Sequence, residues 1–357
     1  MNLSRERMEV AVVGCGPAGL CAAMEAARTG AEAVILDENH RGGGQLFKQI
    51  HRFFGSHHHG AGKRGYQIAE ELARGCLEEG VELRLASTVL GFFESGELMV
   101  DGGDGVYLIK PEAVVLATGA IERSLAFPGW TLPGVMGAGA AQTLVNMHGV
   151  LPGRRVLMAG AGNVGLIVSY QLLQAGAEVV GLIDVKGEIG GYRVHAERVR
   201  REGVLIYTRH RLVAAEGETG VEAVVAEDVE GGDIKRFRAD CLCMALGLIP
   251  VAELAAMRGC GMSYQPGLGG FVPRHGHDMR TDREGVYVAG DAAGVEEASV
   301  AMEEGRMAGI SAAEDLGRIN RRQAGRRRAV VRSRLEGLRG GPYGWNKAEI
   351  KRIMHNG

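Results

Sequence analysis

At 357 residues the chain is too long for one ordinary hydrophobic core and suits two domains. With 46% apolar and 24% charged residues it has the balance of a globular protein, and no apolar run reaches membrane-spanning length. The formal net charge of −2 speaks against nucleic-acid binding, although the charge is uneven: from Arg318 onward twelve Lys or Arg face only Glu336 and Glu349. That basic segment reads either as a solvated tail or as a docking segment for an acidic partner protein. The start, MNLSRERMEVAVVG, enters a strand with no apolar signal-peptide core before it. Cys15, Cys21, Cys76, Cys241, Cys243 and Cys260 are scattered, with no CxxC pair. Together these features predict a cytoplasmic protein with free thiols.

In chain order, residues 8–13 (MEVAVV) are a short apolar strand running into Gly14-Cys15-Gly16-Pro17-Ala18-Gly19. A helical stretch follows, LCAAMEAARTG, closed by Gly30. The next strand, AEAVILD, ends at Asp37, with Glu38 behind it. Then come the bare loop Arg41-Gly42-Gly43-Gly44-Gln45, the helix YQIAEELARGCLEEG and the short strands VELRLAST, GFFESGELMV and VYLIK. An apolar strand, AVVLATGA, closes the unit at Ala117-Thr118-Gly119, and the turn-rich FPGWTLPG marks a crossover.

The pattern then repeats. RVLMA (155–159) runs into Gly160-Ala161-Gly162-Asn163-Val164-Gly165, a helix LIVSYQLLQAG, and a strand AEVVGLID ending at Asp184. First glycine and acid are 23 residues apart in one unit and 24 in the other. VLIYTRHRLVAAEG, VEAVVAEDV and DIKRFRADCLCMALGLIP complete the second unit. A third segment, REGVYVAGDAA, ends a strand at Gly290-Asp291 before the Ala-rich helix VEEASVAMEEGRMAGISAAEDL. Too small for a domain, it is expected to rejoin the first sheet. The fold class is therefore α/β: two Rossmann-like three-layer domains, the second inserted into the discontinuous first. The expected division is 1–125 with 265–320, then 126–260, then a basic tail 321–357.

Each GxGxxG follows a strand, opens a helix and has an acid about 20 residues on, the context in which the motif binds a dinucleotide. The glycines allow a tight turn and let backbone N–H groups approach a pyrophosphate, and the acid accepts from a ribose hydroxyl. The bare GGGQ loop suits a flavin ring, and Asp291 at a strand end suits a ribityl hydroxyl; its plainer alternative is a helix N-cap. FAD is accordingly expected at Gly14, Gly16, Pro17, Ala18, Gly19, Asp37, Glu38, Gly43, Gly44, Gln45, Ala117, Thr118, Gly119, Gly290 and Asp291. NAD(H) or another adenine nucleotide is expected at Gly160, Gly162, Asn163, Val164, Gly165 and Asp184, with a vestigial site as the alternative. Asp184 favours a free 2′-hydroxyl, hence NAD over NADP, while Lys186 argues the other way. His57-His58-His59 sits in a Gly-rich loop without a nearby carboxylate or Cys, so no metal is expected there; the loop either has no ligand role or lines the flavin or a partner. Cys241 and Cys243 share one face of a strand and read as core thiols. No general acid or base stands out, and hydride transfer to a flavin needs none.

This ordered set of motifs resembles the two-dinucleotide-domain flavoproteins of the pyridine nucleotide–disulfide oxidoreductase superfamily, over about residues 8–316. HRFFGSHHHGAGKRG and ERSLAFPGWTLPGVMGAGAAQTLVN further resemble the FAD/NAD-type subunit of multi-component amine and amino-acid dehydrogenases: the dye-linked proline dehydrogenase, opine oxidase, sarcosine oxidase and hydrogen cyanide synthase groups. Two departures matter. The positions where disulfide reductases of this kind carry their redox cysteines read LFKQI and GAGAAQTLVN, without Cys. The segment after the last helix, cysteine-rich in many multi-component subunits, has none either, so an iron–sulfur centre would belong to another chain. The resemblance implies an FAD-dependent oxidoreductase without its own redox disulfide. It would move hydride or electrons between a nicotinamide or a small amine or amino-acid substrate and the flavin, in an oligomer. Alternatives are an electron-transfer subunit of an amino-acid or imino-acid dehydrogenase, beside a partner with an iron–sulfur centre or second flavin, and a non-catalytic nucleotide-binding assembly protein.

Overall fold

The computed structural model describes residues 3–53, 56–340 and 344–356. Phe54 and Gly55 of the HRFFGSHHHGAGKRG stretch, and 341–343 and 357 of the basic segment, lie outside the described residues. The chain divides into two compact units, 1–121 with 249–357, and 122–248. Residues 122–125 thus go with the second unit, and 249–264 and the basic segment with the first.

The first unit is built on a seven-stranded sheet. Its centre is the strand Arg5–Val13, parallel to Ala33–Leu36 on one side and to Val106–Leu116 on the other. Side chains alternate across it: Val10 and Val12 enter the core shared with the helices, Ala11 and Val13 the core on the other face. Over Val10–Val13 both faces are buried, which is why that stretch reads as a continuous apolar run. Two segments expected as separate strands, VYLIK and AVVLATGA, are one strand that continues through Pro111. The proline is tolerated because it lies between two partners on that side: Leu98–Asp101 ends opposite Ile109, and Val286–Val288 begins opposite Val114. GFFESGELMV folds as a hairpin, Thr88–Phe92 against Leu98–Asp101. The third segment rejoins this sheet, with Val286–Val288 parallel to Val114–Leu116.

Two helices, Pro17–Ala27 and Ala298–Asp315, lie against each other on one face. Small residues let them approach. A Cβ on Gly305 would sit 2.0 Å from the Ala18 carbonyl oxygen, and one on Gly309 2.2 Å from that of Ala22. Gly309→Ala should therefore push the helices apart and lower stability by about 1–3 kcal/mol, read as a shift in urea midpoint. An unchanged midpoint would mean the contact is not tight.

From Arg321 to Arg339 the basic segment is not a solvated tail. Arg321–Arg339 is a helix opened by an Asn320–Gln323 capping box. It buries Ala324, Val331 and Leu335 in the first unit's core. Arg328 bonds Glu314 at 2.6 Å, and Arg327 approaches Glu25 at 3.5 Å. An apolar stripe hidden among arginines carries the packing, so charge counting alone misreads it.

The second unit has a five-stranded sheet, all parallel, in the order Ile206–Thr208, Glu178–Asp184, Arg155–Ala159, Cys241–Met244, Val135–Gly137. Val156, Met158, Cys241 and Cys243 pack on its helices. Leu157, Ala159 and Leu242 pack on an antiparallel sheet formed by His210–Glu216, Ala223–Asp228 and Ile234–Arg238. The stretch VLIYTRHRLVAAEG breaks at Arg209, whose φ of 58° turns the chain from one sheet to the other. Among the described residues no helix is long and apolar enough to cross a membrane.

Candidate functional site

The two glycine turns explain themselves atom by atom. Gly14 has φ 105°, and a Cβ there would lie 2.3 Å from the Ala117 carbonyl oxygen. A Cβ on Gly19 would lie 1.8 Å from the carbonyl oxygen of Gly14. Both positions must be glycine for the turn and the strand–helix contact to form. Gly16 is different. Its φ of −76° suits any residue, and a Cβ there would meet nothing within 4 Å. The protein itself has no use for a glycine at this point, so the space in front of it is available to a ligand. The helix that starts at Pro17 has no side-chain cap and no acid in its first turn, leaving its positive end uncompensated.

The second unit repeats this. Gly160 has φ 113° and would clash with the Ala245 carbonyl oxygen at 2.3 Å, Gly165 with that of Gly160 at 2.0 Å, while Gly162 again faces nothing within 4 Å. The helix Asn163–Gln174 also lacks a side-chain cap. The repeat extends to the supports. Asp37 accepts from the Cys15 N–H at 2.6 Å and the Asn39 N–H at 2.8 Å, and Asp184 from the Ala161 N–H at 2.7 Å and the Lys186 N–H at 2.9 Å. Each acid thus fixes its own glycine turn and keeps remaining lone pairs for a hydroxyl. A later loop closes over each turn: the Gly43 N–H donates to the Cys15 carbonyl at 2.6 Å, and the Gly191 N–H to that of Ala161 at 3.1 Å. Gly191 and Tyr192 were not expected. Their signal was available, because a glycine pair follows the acid in both units. Asn163 serves this closure, accepting from the Tyr192 N–H at 2.7 Å, while Val164 and Lys186 are exposed.

Around the first turn the fold gathers distant residues. A Cβ on Gly44 would touch the Gly16 Cα at 2.8 Å, and one on Gly290 the Ala18 Cβ at 2.8 Å. Gly290 needs its φ of 68° and donates its N–H to Glu304 at 3.1 Å. Asp291 lies in the short turn Gly290–Ala293 and is not the cap of the long helix, whose N-cap is Glu297. Its half-buried carboxylate accepts from the Glu296 N–H at 3.1 Å. Burial pushes this carboxyl up to about 6, against the pull of the Glu296 amide. Thr118 turns its hydroxyl to the Val251 carbonyl at 2.5 Å and anchors the returning chain. Glu38 and Gln45 are exposed.

Other candidates resolve as structure. His59 is buried, with Nδ1 on the Ser56 hydroxyl at 2.8 Å and Nε2 on Glu303 at 2.9 Å; His57 and His58 are exposed. All six cysteines are free and buried. Burial, with Asp37 nearby, pushes the Cys15 thiol up to about 12, so it is no nucleophile near neutrality. Cys241 and Cys243 lie in the core with their sulfurs 3.7 Å apart. Among the described residues no group of three His, Cys, Asp or Glu could hold a metal ion.

Several known proteins are similar to this chain along most of its length. An opine oxidase subunit from Agrobacterium tumefaciens (strain Ach5) is 30% identical over 86% of this chain and 66% of that protein. The alpha subunit of sarcosine oxidase from Corynebacterium sp. (strain P-1) is 30% identical over 87% of this chain and 33% of that one. The chain therefore spans less than two thirds of the length of these relatives. Among solved structures, L-proline dehydrogenase from P. horikoshii superposes with a TM-score of 0.72 at 24% identity, over 93% of this chain and 60% of that chain, and shows the shared fold. The profile of one family covers residues 8–305, most of both units, and by that match the chain is an oxidoreductase of the pyridine nucleotide-disulphide oxidoreductase family.

Proposed function

We propose that the first unit holds FAD at the turn Gly14–Gly19, with Asp37, Gly43, Gly44, Ala117, Gly290 and Asp291 around it. The second unit holds NAD(H) or another adenine nucleotide at Gly160–Gly165 and Asp184. The bare middle glycines Gly16 and Gly162 carry this reading: each stands at the uncapped start of a helix, in an ordinary backbone conformation, with nothing of the protein where a side chain would lie. A bound flavin supplies the electron-accepting and electron-donating chemistry. The chain's own part is to bind and orient. Uncapped helix ends face the phosphates, Asp37 and Asp184 offer acceptors to ribose hydroxyls, and Asp291 offers one to the ribityl chain. No dithiol takes part, because neither expected position carries a cysteine and all six thiols are buried. Electrons therefore leave by a nicotinamide, a small substrate or another chain.

Within this reading the protein is one component of a multi-component amine or amino-acid dehydrogenase. The relatives are themselves named as subunits, and the chain spans only part of their length. Sarcosine and L-proline, which appear in the relatives' names, are both secondary amines of amino acids, and that is the substrate class we assign. A cytoplasmic location and a partner carrying an iron–sulfur centre or second flavin complete the proposal. Anaerobic titration of the flavin-loaded protein tests it. NADH is expected to bleach the flavin absorbance in proportion to its addition. No bleaching by NADH would sink the nicotinamide-linked version, and bleaching by a secondary amino acid only with a co-purified partner would establish the multi-component version. A preparation that cannot be loaded with FAD would overturn both.

A further inference from the structure

We infer that Arg339 and Lys351, two cations near the end of the chain, are positioning residues for the Asp291 loop, holding it in shape for its ligand through Glu296 and Glu304. This rests on the FAD reading. The family match ends at residue 305, so neither cation belongs to the matched segment.

The geometry is a closed ring. Glu304 is 1% exposed and turns one oxygen to the Gly290 N–H at 3.1 Å. Its other oxygen meets Lys351 Nζ at 2.5 Å and Arg339 Nη2 at 2.5 Å. The same cations meet Glu296 Oε1, at 2.9 Å from Lys351 and 2.5 Å from Arg339. The Glu296 N–H in turn donates to Asp291 at 3.1 Å. Gly290 and Glu296 are the two ends of one loop, and both ends are tied to one pair of cations. The helix Trp345–Asn356 that supplies Lys351 lies along this loop: Lys347 Nζ donates to the Val295 carbonyl at 2.5 Å, and Ile350 packs where a side chain on Gly267 would have to go.

Charge makes the arrangement necessary. Asp291, Glu296 and Glu304 place three carboxyl groups around one short loop, with the side chains of both glutamates buried. Without the cations, two buried carboxylates would be uncompensated beside the one proposed to meet the ribityl chain. The loop would relax by moving toward solvent, taking the Gly290 N–H and Asp291 with it. Buried acids alone would suffice to hold Gly290; they become tolerable only because the last helices bring Arg339 and Lys351.

The test uses the full-length protein, freed of flavin and titrated with FAD by fluorescence, with amide hydrogen exchange followed over residues 288–297. Lys351→Met is expected to weaken FAD binding by about tenfold and to speed exchange over that peptide, with exchange in the second unit unchanged. Lys351→Arg is expected to restore most of both. If Lys351→Met does not fold, the double change Lys351→Met with Glu304→Gln removes the stranded charge while leaving an acceptor for Gly290; recovery of the fold with FAD affinity and loop exchange near wild type there supports the inference. Wild-type affinity and exchange in the Met variant, or a double variant with weakened FAD binding and fast exchange over 288–297, would overturn it. Wild-type protein that takes up no FAD would instead overturn the FAD reading, with the exchange comparison still reporting whether the cations hold the loop.

Discussion

Replacing Gly16 with alanine is expected to remove FAD binding while leaving the apoprotein as stable as the wild type. A methyl group at Gly16 meets nothing in the protein, and the backbone there already has an ordinary conformation. Neither strain nor overpacking follows, so the urea midpoint should not move. The same methyl occupies the space through which a pyrophosphate reaches the helix end, and affinity should fall by about 100-fold or more, a loss of about 3 kcal/mol. Gly14→Ala is the contrasting control. It combines a left-handed φ with a Cβ 2.3 Å from the Ala117 carbonyl oxygen, and should cost more than about 2 kcal/mol of stability whether or not FAD is present. Isothermal titration and denaturation of both variants separate the two glycines. If Gly16→Ala binds FAD normally, the first turn is not the flavin site.

Asp291→Asn should make the empty protein more stable and the flavin complex weaker. The carboxyl of Asp291 is pushed up from an ordinary 3.8 to about 6, chiefly by burial. A folded-state pKa above the unfolded one means that the folded protein holds this proton more tightly. Its stability relative to the unfolded chain is therefore fully present below about pH 4 and declines as pH rises toward about 6. At about pH 7 the native state carries the cost of an ionised, half-buried carboxylate. Asparagine cannot ionise and can still accept from the Glu296 N–H, so the variant should gain about 1–2 kcal/mol near pH 7 and nothing near pH 4. FAD affinity should fall by about tenfold, since a neutral amide is a weaker acceptor than a carboxylate. Equal stability of variant and wild type at both pH values would show that the carboxylate is not strained, and undiminished affinity would remove it from the site.

Much of this was legible in the sequence because its causes are local. Gly14 and Gly19 follow from the turn they make, and the strand at residues 8–13 announces itself by being apolar on both faces. The acids at Asp37 and Asp184 could be found by spacing, but not the way they are used: that each first secures its own turn through a backbone N–H is visible only in three dimensions. Pro111 looked like a strand end because sequence does not reveal that it falls between two partners. The charged residues that matter most around Asp291 were the least legible. Glu304 sits in an Ala-rich helix as one of two adjacent glutamates, and Lys351 looked like one more charge in a basic tail. Nothing in their local sequence joins them, because the contact spans 47 residues. The i, i+4 pair Gly305 and Gly309 did carry a signal, since small residues at that spacing mark a helix face that admits another helix closely.

The contact of Gly305 and Gly309 with Ala18 and Ala22 also bears on how the chain is made. The ribosome delivers the first glycine turn before the second unit and its helical counterpart only after it, so the first sheet waits for its last strand, Val286–Val288, and for the helix Ala298–Asp315 while residues 122–248 are made. The second unit has no such debt: all of its residues, 122–248, emerge in one continuous run. It can close on its own while the face of Pro17–Ala27 that later meets Gly305 and Gly309 is still uncovered. The long-range pairing that completes the first unit is the slow, late event. Truncation before Gly305 would then leave a nascent chain with one finished domain and one exposed apolar helix face, a natural substrate for chaperones and proteases.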